Sequence, residues 1–186
     1  MKKSLAAAAV LATTAPMVMA SSALAHDGAT GIVEERMHAM KEMGKAVRTL
    51  KNMMEDESSY DAKAVRAQAE IIKLHAGKKM TRQFPEGSLQ NPTYAKPEIW
   101  SDWDRFSELS SQLETLAGGL ELAADNGLMM EGHGSMMMNG DGHMDGMMGN
   151  GAPALEVLRE MPADGVFTML VKTCSSCHLE FRARKP

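Results

Sequence analysis

Beyond the first thirty residues, apolar side chains return at intervals of three and four, and no stretch alternates long enough to predict a strand. From Ile32 to about Glu55 the pattern is carried by Val33, Met37, Met40, Met43, Val47, Leu50 and Met54. A second helix is predicted from Asp61 to about Met80 on Val65, Ala69, Ile72 and Ala76, after the start signal Ser58-Ser59-Tyr60-Asp61. The connection from Gln83 to Lys96 contains Pro85, Gly87 and Pro92 and runs into Pro97, so it cannot be helical throughout. A third helix, from about Pro97 to Asn126, is expected to turn Ile99, Trp103, Phe106, Leu113, Leu116, Leu120 and Ala124 inward and to stop at Gly127. A shorter turn around Ala154 to Glu160 and then Pro162 precede a fourth helix with Val166, Leu170, Cys174, Cys177 and Phe181 on one face. Four amphipathic helices with one long crossover predict an all-α, antiparallel four-helix bundle.

The first 25 residues do not belong to this pattern. Lys2-Lys3, an apolar run from Leu5 to Met19 and Ala23-Leu24-Ala25 have the layout of a secretory signal peptide, with cleavage expected after Ala25 and residues 26–186 forming the folded domain. Thr13, Thr14 and Pro16 interrupt the run, which is too short for a stable membrane anchor. The expected location is the periplasm. A formal charge of −4, with no basic block longer than a pair among residues 4–186, argues against nucleic acid as a partner. The chain has 19 Met but only two Trp, two Tyr and four Phe, so its core must rely on aliphatic side chains, on Met, or on a group that is not an amino acid.

The two cysteines lie in Cys174-Ser175-Ser176-Cys177-His178. C-x-x-C-H spaces two thiols for thioether bonds to the vinyl groups of one haem and puts an imidazole where it can ligate the iron as the proximal ligand. In a helix, Cys174 and His178 are at i and i+4, on one side. The competing readings are a C-x-x-C disulfide and half of a zinc site. The first would favour a βαβ setting that this pattern lacks, and the second would want another Cys/His pair nearby. Covalent haem c is the expectation, and a large macrocycle also accounts for the scarcity of aromatic side chains.

With these residues in view, the chain resembles the cytochrome c prime family, monohaem four-helix bundles of the bacterial periplasm. The resemblance rests on Cys174-Ser-Ser-Cys-His178 followed by Phe181-Arg182, on Arg36-x-x-x-Met40 with Met43-Gly44, and on Lys96-Pro-Glu-Ile-Trp100-Ser-Asp. It implies that His178 is the proximal ligand, that Arg36 lies near a haem propionate, that Arg182 belongs to the haem surroundings, and that Met40 points at the distal iron face. It also implies electron transfer to a periplasmic redox partner, binding of a small gas such as nitric oxide or carbon monoxide, and homodimers joined through the first two helices. Family members divide between five-coordinate iron, with the distal side chain off the metal, and six-coordinate iron with a Met ligand. Met40 is compatible with both.

The segment from about residue 128 to 151 is an insertion that the family does not explain. It carries Met129, Met130, His133, Met136, Met137, Met138, His143, Met144, Met147 and Met148 among many glycines, without helical periodicity. A loop is expected. Thioethers suit Cu(I) and imidazoles suit either copper state, so a copper-handling role for this loop stands beside a low-complexity expansion that costs little. His38 and His75 are expected at helix surfaces or boundaries, and His26 at a frayed terminus. Trp100 and Trp103 are expected to pack near the haem. Nothing resembles a nucleophile with its base, a phosphate loop or paired catalytic carboxylates, so the expectation is a protein that is not an enzyme.

Overall fold

The computed structural model describes residues 29–89, 93–129 and 151–184. The expected signal peptide and all of the Met/His-rich segment except Leu128, Met129 and Gly151 lie outside them. Seven α-helices are described: α1 (Ile32–Glu55), α2 (Ala62–His75), α3 (Gly77–Thr81), α4 (Glu98–Ser101), α5 (Trp103–Ala123), α6 (Leu155–Leu158) and α7 (Ala163–Phe181). Among the described residues no helix is long and apolar enough to cross a membrane.

The four long helices, α1, α2, α5 and α7, form a ring in chain order, each packed on the next, with α1 closing on α7. Long-range pairs give their directions. Tyr60 at the start of α2 donates its hydroxyl to Ala124 O (2.6 Å) at the end of α5, while Ser110 near the start of α5 reaches Gly77 O (3.0 Å) past the end of α2. Phe106 stacks edge-on against Phe181 at 5.4 Å, whereas Ala163 N–H donates to Gly127 O, so α5 and α7 also run opposite ways. The result is the antiparallel four-helix bundle that the hydrophobic period predicts, with the starts of α1 and α5 and the ends of α2 and α7 at one end.

Helix α1 has the predicted bounds, but its buried face is rotated slightly. Val33, Arg36, Ala39, Met43, Ala46, Leu50 and Met53 are buried, whereas Met37, Met40, Val47 and Met54 lie at the boundary. Small alanines let the neighbouring helices approach closely, and reading the stripe by side-chain size favours Met over Ala. At α2, Asp61 caps the start by accepting from Ala64 N–H at 2.8 Å. The expected single helix to Met80 is broken at Ala76, because Gly77 takes φ +57° and the Glu114 carboxylate lies where its Cβ would be. The third helix is likewise broken, at Asp102, where φ −130° and ψ 55° leave the helical region. One consequence corrects an expectation: Trp103, predicted inward, starts α5 at 39% exposure and only touches Phe106, ring to ring at 5.6 Å.

Helix α6 seals one seam by seating Leu158 against Gly119 of α5. A Cβ at Gly119 would come within 2.5 Å of Leu158 Cδ1 and 2.6 Å of its Cβ. Both residues are buried, so the clash has nowhere to relax. Gly119→Val is expected to destabilise the protein by about 1–3 kcal/mol, read as a lower midpoint in guanidinium unfolding; an unchanged midpoint would refute this close packing.

Candidate functional site

Helix α7 buries Ala163, Val166, Phe167 and Leu170 and returns to the core at Phe181. Cys174 and Cys177 continue that stripe between them, partly buried and packed against the core cluster. The two thiols are free rather than joined to each other. Burial pushes Cys174 up to about 11; burial, then the Cys174 and Glu180 charges, push Cys177 up to about 12. Neutral thiols facing a bundle interior are a poor match for a redox dithiol, whose attacking sulfur must be held as thiolate. Among the described residues no three His, Cys, Asp or Glu side chains gather as a metal site. What the pair does fit is alkylation by a ligand that enters from the core side.

His178 follows on the more exposed side of the same turn. Burial of its ring, then the positive charge of Arg182, lower its pKa below the ordinary histidine value, favouring the neutral imidazole that can donate a lone pair to a metal.

The same end of the bundle holds a buried cation. Arg36, only 3% exposed, reaches from α1 to the crossover, with Nη1 donating to Gln83 O at 3.5 Å and to Ser88 Oγ at 3.4 Å, and Nη2 donating to Ser88 O. Its guanidinium also lies 4.8 Å from the centre of the Phe84 ring. Among the described residues it has no carboxylate partner, and its Nε is buried without an acceptor. Desolvation accordingly lowers its pKa. A buried charge left this way is costly unless an anion completes it. The orphaned Nε and the two core-facing thiols therefore both suit a haem, whose propionates are anions and whose vinyl groups accept thiols.

An aromatic chain joins these features: Phe84 to Phe106 at 5.0 Å, and Phe106 to Phe181 at 5.4 Å. Trp100 fixes the crossover by donating Nε1–H to Phe84 O at 3.0 Å. Met40, one turn along α1 from Arg36, is half-buried against the core cluster. Arg182 lies just past the end of α7, exposed, with Cζ 5.8 Å from the Tyr94 ring centre. The structure thus brings Arg36, Met40, Cys174, Cys177, His178 and Arg182 to one half of the bundle. A cleft of about 180 Å3 opens between α5 and α7; Thr173 and Ser176, each one position before a cysteine, line it, and neither cysteine does.

Sequence reasoning overlooked Phe84, Ser88, Tyr94 and the Arg105–Glu180 ion pair at 3.3 Å, because each acts through a partner remote in sequence. Only Phe84-Pro-Glu-Gly carried a local signal, as a turn. Of the residues considered for copper, Met129 alone is described: it is exposed, and its N–H donates to Asp164 Oδ1 at 3.0 Å. Met130, His133, Met136, Met137, Met138, His143, Met144, Met147 and Met148 lie outside the described residues.

A family model described as cytochrome C' matches residues 31–139, more than half of the chain, and stops short of the cysteine motif. The chain is 27% identical over 176 residues to the cytochrome c' of Rhodopseudomonas palustris, covering 94% of this chain and 97% of that one. It is also 27% identical over 160 residues to a cytochrome c-556 of Agrobacterium tumefaciens, covering 83% and 99% respectively. Its fold is similar to cytochrome c' from Thermochromatium tepidum, with a TM-score of 0.58, 22% identity, and 82% of this chain and 95% of that one covered. It is likewise similar to a cytochrome c prime of Alcaligenes xylosoxidans solved as a nitric oxide complex, with a TM-score of 0.55, 22% identity, and 82% and 94% covered.

Proposed function

The chain belongs to the cytochrome c prime family, which binds haem c, and from that premise we propose that it is a periplasmic monohaem protein working in electron transfer and small-gas binding rather than as an enzyme. The observation that carries the reading is the buried stripe of α7, which passes through both thiols and is followed at once by His178. In this reading Cys174 and Cys177 hold the haem by thioethers, His178 supplies its neutral imidazole to the iron, and Arg36 neutralises a propionate. Haem c supplies an iron that cycles between ferric and ferrous states and can take a small neutral ligand. The protein's part is to hold the imidazole, exclude water with the core cluster and Phe84, Phe106 and Phe181, and shape the opposite side of the pocket. The electron partner is a second periplasmic redox protein, and a homodimer through the first two helices is part of the same reading.

Met40 is assigned to packing, with its sulfur off the iron, because it lies against the core cluster as a boundary side chain. The ferrous protein is then expected to be high-spin and to bind nitric oxide and carbon monoxide, and Met40→Ala should leave the spin state unchanged while speeding gas binding. Low-spin ferrous absorption that turns high-spin in Met40→Ala would replace this assignment with a thioether ligand and a carrier of electrons alone.

Copper handling is a second reading, favoured by eight methionines and two histidines between residues 128 and 151. Deletion of residues 130–150 is expected to remove Cu(I) binding measured by competition with a chromogenic chelator while leaving the haem spectrum intact; the same stoichiometry in both proteins would eliminate this reading.

A further inference from the structure

The C-terminal end of α7 has no glycine cap. A helix leaves its last carbonyls without intrahelical partners, and here a distant segment takes two of them. Lys96 N–H donates to Phe181 O at 3.0 Å, and the Lys96 ammonium donates to Glu180 O. Ala183 N–H returns a bond to Tyr94 O at 2.7 Å, closing one antiparallel bridge between Ala95 and Arg182. Arg105 braces the same turn through two contacts to the Glu180 carboxylate, at 3.3 and 3.4 Å. The bridge holds Arg182 extended, with φ −121° and ψ 128°, while its N–H still donates to His178 O at 3.2 Å. The Arg182 side chain therefore leaves the backbone four residues after His178, with its guanidinium over the Tyr94 ring.

We propose that Tyr94 is a positioning residue, whose ring, carried on the Tyr94–Lys96 clamp across the end of α7, holds the Arg182 guanidinium at a fixed place beside His178 and so sets the charge experienced at the iron. The inference rests on the reading of His178 as iron ligand. Among the described residues Arg182 forms no ion pair, so the ring is the contact that restrains its charged end. An exposed arginine without such a contact samples many rotamers, and a charge spread through solvent is screened more strongly than one held in place. A cation held near the iron favours the ferrous state, which carries one positive charge fewer than the ferric. Tyr94, 84 positions before His178, would thereby tune the site without touching the haem.

The test uses the haem-loaded full chain, with the reduction potential and the iron–histidine stretching band of the ferrous protein as readouts. Tyr94→Leu is expected to move the potential to more negative values and to shift or broaden the band. Tyr94→Phe, which keeps the π face, should match the parent in both. Arg182→Gln alone should lower the potential, and adding Tyr94→Leu to it should change nothing further. An equal shift from Tyr94→Leu with and without Arg182, or no shift in either background, would overturn the proposal. Absence of the iron–histidine band from both the parent protein and Met40→Ala would instead overturn the assignment of His178.

Discussion

A chain carrying Cys174→Ser and Cys177→Ser, exported by cells with intact haem-attachment machinery, is expected to hold no covalent haem. The reason is chemical: serine hydroxyls are too weakly nucleophilic at neutral pH to add to a vinyl group, and these are the only two cysteines in the chain. Haem staining of the protein on a denaturing gel should fall to background, whereas His178→Gly should keep the stain and lose the iron–histidine band. The double variant should also lose stability. The α7 stripe is buried through Leu170, becomes half-buried at Cys174 and Cys177, and is buried again at Phe181, so a cofactor on the thiols would complete the core there. Anything that binds the folded chain and not the unfolded one adds to its stability, and a covalent group does so without dissociating. Persistent haem staining in the double variant would show that attachment uses another residue and would overturn the reading of the motif.

The second large effect is expected at Arg36. Its guanidinium is 3% exposed, lacks a carboxylate among the described residues and leaves Nε without an acceptor. With a propionate completing the charge pair, Arg36→Met is expected to cost the haem-loaded protein about 3 kcal/mol, because it strands the anion and frees the Gln83 and Ser88 carbonyls. Loss of a cation near the iron should also make the reduction potential more negative. Arg36→Lys should restore much of the potential and little of the stability, since an ammonium supplies charge without the planar fork that reaches Gln83 and Ser88 together. Guanidinium unfolding and potentiometry on the three proteins separate the two effects. A potential that is unchanged in Arg36→Met would mean that Arg36 serves the crossover alone, and would remove it from the site.

The Arg36 arrangement also marks how far the sequence could be read. As one residue of an amphipathic helix, Arg36 is an arginine among boundary positions, and its burial depends on Ser88 and Gln83, about fifty residues away. The family resemblance placed it near a propionate, but neither its contacts with the crossover nor its orphaned Nε could be inferred from spacing. Trp103 shows the opposite error. Its position in the apolar period predicted burial, yet the break at Asp102 restarts the helix and turns the ring outward.

By itself the sequence determined the four amphipathic helices and their order, the cap at Asp61, the irregular crossover and the cysteine motif on the inner face of the last helix. These depend on periods of three and four and on chemistry within five residues, which are local quantities. Only the tertiary structure decided that Gly77 and Asp102 interrupt their helices, that Ala39 and Ala46 join Met43 and Met53 on the buried face of α1 while Met37, Met40 and Met54 stay at its boundary, that Arg36 is enclosed without an acid among the described residues, and that Tyr94 meets Arg182 across the end of α7. Each depends on which surfaces meet when helices far apart in the chain close into a ring, and a one-dimensional pattern does not carry that information.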